Sequence, residues 1–278
     1  MPTNEHYRSV EAPRTRTTLA NDLRRLGLEP GTDVIVHASL SSLGWVCGGA
    51  VALIEALIDV IGPEGTLVMP AHSPELSDPG RWKHPPVPES WCAIIRDTMP
   101  AYDPARTPTW GLGRVAEMFR SWPGAVRSAH PTWSIAALGA RALDIVRDHP
   151  LDLSMGERSP LAKLYDLNAS ALLLGAGFDS VTCFHLAEYR APGAALITEG
   201  APVLLEGNRT WREYQDLEFR TELFDSIGLA FEERGHVVTG PVGSAHARLF
   251  SAREAVDFAV NWLSSQDLGP TPEPAEMP

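Results

Sequence analysis

Apolar positions recur along this chain with two different periods, and the switching between them predicts most of its elements. Leu19, Leu23 and Leu26 fall at helical spacing between residues 14 and 27, and Gly27 stands where a left-handed cap ends a helix. Pro30-Gly31 then turns the chain into the apolar run 33–38, which reads as a buried strand. A small-residue loop, 39–49, leads to a second helix over about 50–61, with Leu53, Leu57, Ile58 and Ile61 along one side and Gly62-Pro63 to stop it. The run 66–69 is a second strand. Strand, helix and strand in so short a stretch predict a βαβ unit and parallel pairing.

The rhythm breaks between 71 and about 109, where prolines and tryptophans (Pro74, Pro79, Trp82, Pro85, Pro86, Pro88) leave room for one helix near 91–99. Linkers seldom carry tryptophans, so this stretch reads as an insertion or lid over the sheet. Helices near 112–120 and 140–148 flank a strand at 134–138, and Ser159-Pro160 opens another helix. The apolar run 171–174 is a third buried strand. Beyond it a hairpin is expected around Gly200, helices over 211–223 and 227–233, a strand at Val237-Val238, and a final helix capped by Ser251. Residues 266–278 have the composition of a disordered tail.

Composition narrows the class without naming a chemistry. A chain of 278 residues with 44% apolar content can bury a large core as one domain over 1–265. A polar N-terminus and the lack of an apolar run of about 18 residues argue against a secretory leader or membrane span. Cys47, Cys92 and Cys183 are scattered and read as reduced thiols, which places the protein in the cytoplasm. The net charge of −12 disfavours nucleic acid as a partner and suits either solubility or attraction of a cation. No spacing of His and Cys points to a bound metal.

Candidate chemistry gathers after the third strand. Gly175-Ala176-Gly177 is followed by Asp179, Thr182, His185 and Glu188, and two residues three apart on a helix share a face. An imidazole held by a carboxylate at the end of a strand is what a general base requires. Cys183 would point away from His185 and reads as core. The loop Ser39, Leu40, Ser41, Ser42, Leu43, Gly44, lying between a strand and a helix, can offer amides to an anionic or amide-bearing ligand, but it matches no nucleotide motif. His130 before Pro131 is held extended, equally consistent with a ligand contact or a rigid turn.

Taken in order, these blocks carry a resemblance. His-Ala-Ser-Leu-Ser-Ser-Leu-Gly at 37–44, Gly-Gly-Ala at 48–50 and Gly-Pro-Glu-Gly-Thr-Leu-Val-Met-Pro at 62–70 resemble segments of the aminoglycoside 3-N-acetyltransferase family. So do Tyr-Asp-Pro-Ala-Arg-Thr-Pro-Thr at 102–109, Arg-Ser-Ala-His-Pro-Thr-Trp-Ser at 127–134, Gly-Glu-Arg-Ser-Pro-Leu at 156–161 and Thr-Cys-Phe-His-Leu-Ala-Glu at 182–188. The resemblance implies a three-layer α/β/α core with a mixed central sheet, unlike the Gcn5-type acetyltransferases, and a smaller subdomain inserted at about 71–110. It implies transfer of an acetyl group from acetyl-CoA to the 3-amino group of an aminoglycoside, as in antibiotic resistance, by a monomer or homodimer that needs no metal.

By the same resemblance His185 is the catalytic histidine, with Glu188 and Thr182 beside it. Ser39, Ser41, Ser42, Leu43, Gly44, His130 and Ser134 fall on segments that line the CoA path. Asp179, Glu157, Glu222 and Asp225 are the acidic candidates for substrate contact. Two alternatives stay open: transfer to a different amine, and a His/Glu hydrolase or a non-catalytic binder.

Overall fold

The computed structural model describes residues 12–83 and 85–266, so His84 and the expected tail beyond Gln266 lie outside the described residues. Helix α1 (Arg16–Leu26) starts at Thr15, whose hydroxyl accepts the Thr18 N–H while the Thr18 hydroxyl accepts the Thr15 N–H. Such a cap is worth about 1 kcal/mol. It ends at Gly27, whose φ of 106° needs no Cβ. Strand β1 (Asp33–Ala38), helix α2 (Gly49–Ile61) and strand β2 (Thr66–Pro70) form the expected βαβ unit, with Val34 opposite Leu67 in a parallel ladder.

The remaining core elements are α4 (Gly113–Arg120), β3 (Val126–Arg127), β4 (Ile135–Gly139), α5 (Ala142–Val146), α6 (Pro160–Asp166), β5 (Ser170–Leu174) and α7 (Phe184–Arg190). After them come α8 (Phe224–Glu233), β8 (Val238–Val242), β9 (Ala245–Ser251) and α9 (Ala252–Ser265). One sheet runs β3-β4-β2-β1-β5-β9-β8. Parallel pairing among the described strands is confined to β2-β1 and β1-β5; β4 and β9 join them antiparallel, so the sheet is mixed.

Successive side chains of a strand face opposite ways, and here both faces are dry. Val34, Val36, Leu172 and Leu174 pack with Leu53, Leu57 and Phe119 under α1, α2 and α4. Ile35, Ala171 and Leu173 pack instead with Leu164, Phe184, Ile227 and Ala255 under the helices of the second half of the chain. Three layers follow directly: helices, sheet, helices.

Two expectations fail. Gly200 does not turn the chain, and residues 211–217 are not helical. Strands β6 (Leu196–Leu205) and β7 (Asn208–Leu217) form one long hairpin instead, turned by Glu206 and Gly207 at φ 51° and 80°. Gly200 sits in mid-strand because the Trp211 ring covers it; an added Cβ would lie 2.6 Å from that ring. Trp211 and Tyr214 favour a pleated, half-buried surface, and ten paired residues outweigh a helical pattern built on charged residues. The helix expected from 227 starts earlier, at Phe224, after a single 3-10 turn.

Strand β9 is unannounced because its inward residues, Ala245 and Ala247, are small and give a faint period-two signal. Its neighbour β8 carries Pro241 at the sheet edge, where a missing N–H costs no ladder bond. The stretch 71–112 contains α3 (Glu89–Thr98) and packs on the hairpin: the Tyr102 N–H donates to Pro202 O at 3.0 Å and Arg209 Nε donates to Met99 O at 3.0 Å. No helix among the described residues is long and apolar enough to cross a membrane.

Candidate active site

Strands β1, β2 and β5 all end at the same edge of the sheet, where open α/β folds bind their ligands. The segments leaving those ends, together with α7, enclose a cavity of about 520 Å³ lined by His37, Ser39, His72, Asp179, Thr182 and His185, with Trp133 and Phe219 as aromatic walls. His185 lies in the first turn of α7, and its Nδ1 is 2.8 Å from Glu188 Oε2. Glu188 is 1% exposed, and its other oxygen accepts the Arg220 N–H at 2.6 Å. The His185 ring is clamped between Phe219 and Phe224, at 4.2 and 4.9 Å between centroids. A carboxylate at Nδ1 assigns the ring proton there and leaves the Nε2 lone pair as the basic site.

Two further histidines face the same cavity and escaped the sequence reading as individuals. Burial alone pushes His37 down to about 4, and burial first, then neighbouring charge, holds His72 well below its ordinary value. Both are therefore neutral near pH 7. Burial pushes the Cys183 thiol up to about 12, so no thiolate nucleophile stands there.

A groove of about 740 Å³ opens next to this cavity and shares Ala38 and Ser39 with it. Ser39, Ser41, Gly44, Trp45 and Arg114 line it. The loop is braced from within: Ser42 donates to Ser39 Oγ at 2.9 Å, and Leu43 is fully buried. Its close seat against β5 requires Gly175, where a Cβ would fall 2.4 Å from that of Ser42 and φ is +64°.

His130 and Ser134 lie behind the cavity and not in its wall. Buried at 1% exposure, His130 accepts the N–H groups of Thr132 and Trp133 at Nδ1, at 3.2 and 2.9 Å. Ser134 donates to Ala71 O at 2.7 Å. Both thereby hold Trp133, which does face the cavity.

The acidic candidates scatter. Asp179 lines the cavity and its N–H donates to Asp225, which is itself exposed. Glu222 is exposed on the 3-10 turn, and Glu157 pairs with Arg190 at 2.7 Å. Other carboxylates come closer, in a smaller cavity of about 210 Å³ that shares Trp133 and Phe219 and is built from the 71–112 stretch and the hairpin. Glu199, raised by burial, meets Arg81 at 2.7 Å there, and Glu218 lies 3.8 Å from Arg81 and 3.7 Å from Lys83. Glu199 lay beside the turn of the expected hairpin, Glu218 in the stretch read as helix, and their partners Arg81 and Lys83 in an insertion without periodicity. No group of three or more His, Cys, Asp or Glu among the described residues could hold a metal ion.

Comparison with known proteins places the chain in a family. A family model described as aminoglycoside 3-N-acetyltransferase matches residues 35–264. The SPbeta prophage-derived aminoglycoside N(3')-acetyltransferase-like protein YokD of Bacillus subtilis is 55% identical over 93% of this chain and 96% of its own. Its crystal structure superposes with a TM-score of 0.94, covering 95% of this chain and 98% of that one. Aminoglycoside N(3)-acetyltransferase VII of Streptomyces paromomycinus is 38% identical over 92% of this chain and 93% of its own. A structure of AAC-IIIb in a binary complex with CoASH superposes with a TM-score of 0.82 at 34% identity, covering 95% of this chain and all of that one. The chain belongs to the aminoglycoside 3-N-acetyltransferase family and is an acyltransferase.

Proposed function

We propose that this enzyme transfers an acetyl group from acetyl-CoA to the 3-amino group of an aminoglycoside, by direct transfer with His185 as general base. The observation that carries the reading is the 2.8 Å contact between His185 Nδ1 and Glu188, which leaves Nε2 as the basic nitrogen of a ring lining the cavity. An acceptor amine is mostly protonated near neutral pH and cannot attack until it loses a proton. The ammonium form first releases one proton to solvent; as the free amine's nitrogen then bonds to the thioester carbon, His185 Nε2 accepts a second proton from that nitrogen, and the imidazolium is held by Glu188. When the carbon–sulfur bond breaks, the same proton passes to the departing thiolate, giving an amide and CoA thiol. A base so placed contributes about 10²–10⁴ in rate.

Thr182, buried on the cavity wall, is the side chain we assign to the oxyanion or the thiolate. The groove beside Ser39, Ser41 and Gly44 suits a long donor: it is continuous with the cavity, and Arg114 supplies a cation for phosphate. The smaller cavity beyond Trp133 and Phe219 suits the rest of the acceptor. We read Asp179 as its nearest acidic contact, and 71–112 with the hairpin as the acceptor-side subdomain. Three free thiols fit work in the cytoplasm.

Release of CoA thiol from acetyl-CoA, followed across a panel of aminoglycosides, tests the reading. Acetylation of at least one drug by the wild type and its loss in His185→Ala, with CoA binding intact, is the expected pattern. Near-full activity in that variant refutes it. A second reading, transfer to an amine of lower charge, draws on one observation: Arg81 and Lys83 already occupy the carboxylates of the smaller cavity. Release of thiol with simpler amines and none with aminoglycosides would select it.

A further inference from the structure

Glu188 has a second neighbour besides His185. Arg220, between the hairpin and α8, approaches Glu188 Oε1 with its Nε at 3.9 Å, and only 10% of its side chain is exposed. None of its three guanidinium nitrogens has a hydrogen-bond partner. A buried arginine normally spends several donors on acceptors, because an unpaired buried charge is costly. This one faces a single carboxylate, which is 1% exposed and already bound to His185 and to the Arg220 N–H.

We propose that Arg220 is a positioning residue for the base: its guanidinium keeps Glu188 ionised while His185 is neutral and sets how readily His185 takes a proton. The inference rests on His185 being the base, as proposed above. With His185 neutral, Glu188 and Arg220 balance to zero charge. When His185 is protonated, two cations share one carboxylate. Arg220 therefore opposes the imidazolium that Glu188 favours. Without the guanidinium, the histidine–glutamate pair carries a lone buried negative charge and binds a proton more tightly.

The other ionisable groups around the ring do not take this part. His37 at the end of β1 and His72 after β2 are kept neutral by burial. Asp179, on the turn before α7, stands on the cavity wall, where Arg220 does not. The remaining neighbours, Trp133, Phe219 and Phe224, do not titrate in this range.

The test is the pH profile of kcat/KM for the wild type, Arg220→Gln and Arg220→Lys, with the His185 ring followed in parallel by NMR titration. In Arg220→Gln the acid limb and the ring titration move to higher pH by roughly one unit or more, the size expected when a charge within about 6 Å is removed. Activity returns as pH rises, and Arg220→Lys keeps the limb near the wild-type position. A purely structural arginine would lower activity at every pH without moving the limb. An unmoved limb and ring titration in folded Arg220→Gln overturns the proposal. If Arg220→Gln does not fold, Glu188→Gln/Arg220→Gln, which removes both charges, must be more stable than that single variant; equal instability overturns the pairing. The ring titration needs no turnover, so a shift there with no acetyl transfer would count against the proposed function and leave the pairing intact.

Discussion

Replacing Glu188 by Gln tests the base most sharply, since it removes one charge and almost no volume. The carboxylate is 1% exposed, lines neither the cavity nor the groove, and reaches substrate only through the His185 ring. Its contact with Nδ1 is 2.8 Å long and charge-assisted as the imidazolium forms. Hydrogen bonds to charged groups contribute about 1.5–3 kcal/mol, which corresponds to a loss of roughly 10- to 150-fold in kcat/KM. The amide also leaves Arg220 without its counter-charge, and breaking a buried pair costs about 3–5 kcal/mol of stability. A domain of this size holds about 5–15 kcal/mol in all, so the variant should fold with a lowered Tm. Thiol-release kinetics well below that Tm give the rate, and calorimetric titration with CoA gives donor binding. The reasoning requires a large fall in kcat/KM with CoA affinity unchanged. Activity within about 3-fold of wild type, or a loss traced wholly to weaker CoA binding, would refute it.

Other variants probe the flanks of the site. Cys183→Ala should keep kcat within about 2-fold, because a buried thiol with its proton held this firmly takes no part; loss of turnover in a folded variant would reopen a covalent route. Gly175→Ala forces a Cβ to within 2.4 Å of Ser42 and should raise KM for acetyl-CoA and lower Tm; an unchanged KM would separate the Ser39–Gly44 loop from donor binding. Arg81→Gln frees Glu199 and Glu218 and should lower KM for polycationic acceptors by up to about 5-fold, with kcat little changed, as initial rates would reveal. Acid should destabilise the fold between about pH 6.5 and 4. His37 and His149 are depressed to about 4 when folded, so the unfolded chain binds their protons first and stability falls by about 1.4 kcal/mol per pH unit for each. Glu199 and Asp216, raised by burial, offset part of this; a Tm flat across that window would contradict the burial of the histidines.

What could be read from the sequence was whatever rests on local period and caps. Leu19, Leu23, Leu26 and Gly27 define α1 without help from the rest of the chain, and the apolar runs of β1, β2 and β5 are long enough to stand out. His185 and Glu188 were visible because their contact spans a single helical turn. Long-range pairing was not visible. Trp211 and Tyr214 declare a strand only once β6 lies beside them, and β9 hides behind alanines. The same limit concealed Arg220, which sits 32 residues from Glu188 in sequence and meets it only in the folded chain. His130 was ambiguous for a local reason: a histidine before proline suits a ligand contact or a rigid turn alike, and only the fold shows the ring turned inward to hold the Thr132 and Trp133 amides.

The two sides of the active site have different structural parents, and that bears on how such an enzyme can change. The groove and the His185 ring hang from β1 and β5, adjacent strands at the middle of the sheet, where any shift disturbs both hydrophobic cores. The smaller cavity is walled by the 71–112 stretch and a hairpin that belongs to no part of that sheet. If the smaller cavity receives the acceptor as proposed, substitutions there would reshape which amines are welcomed while the strands from which His185 hangs stay as they are. On that proposal, a lineage under selection by a new antibiotic would change its spectrum more readily through Arg81, Lys83 and Glu199 than through β1 and β5, whose residues are shared by both cores.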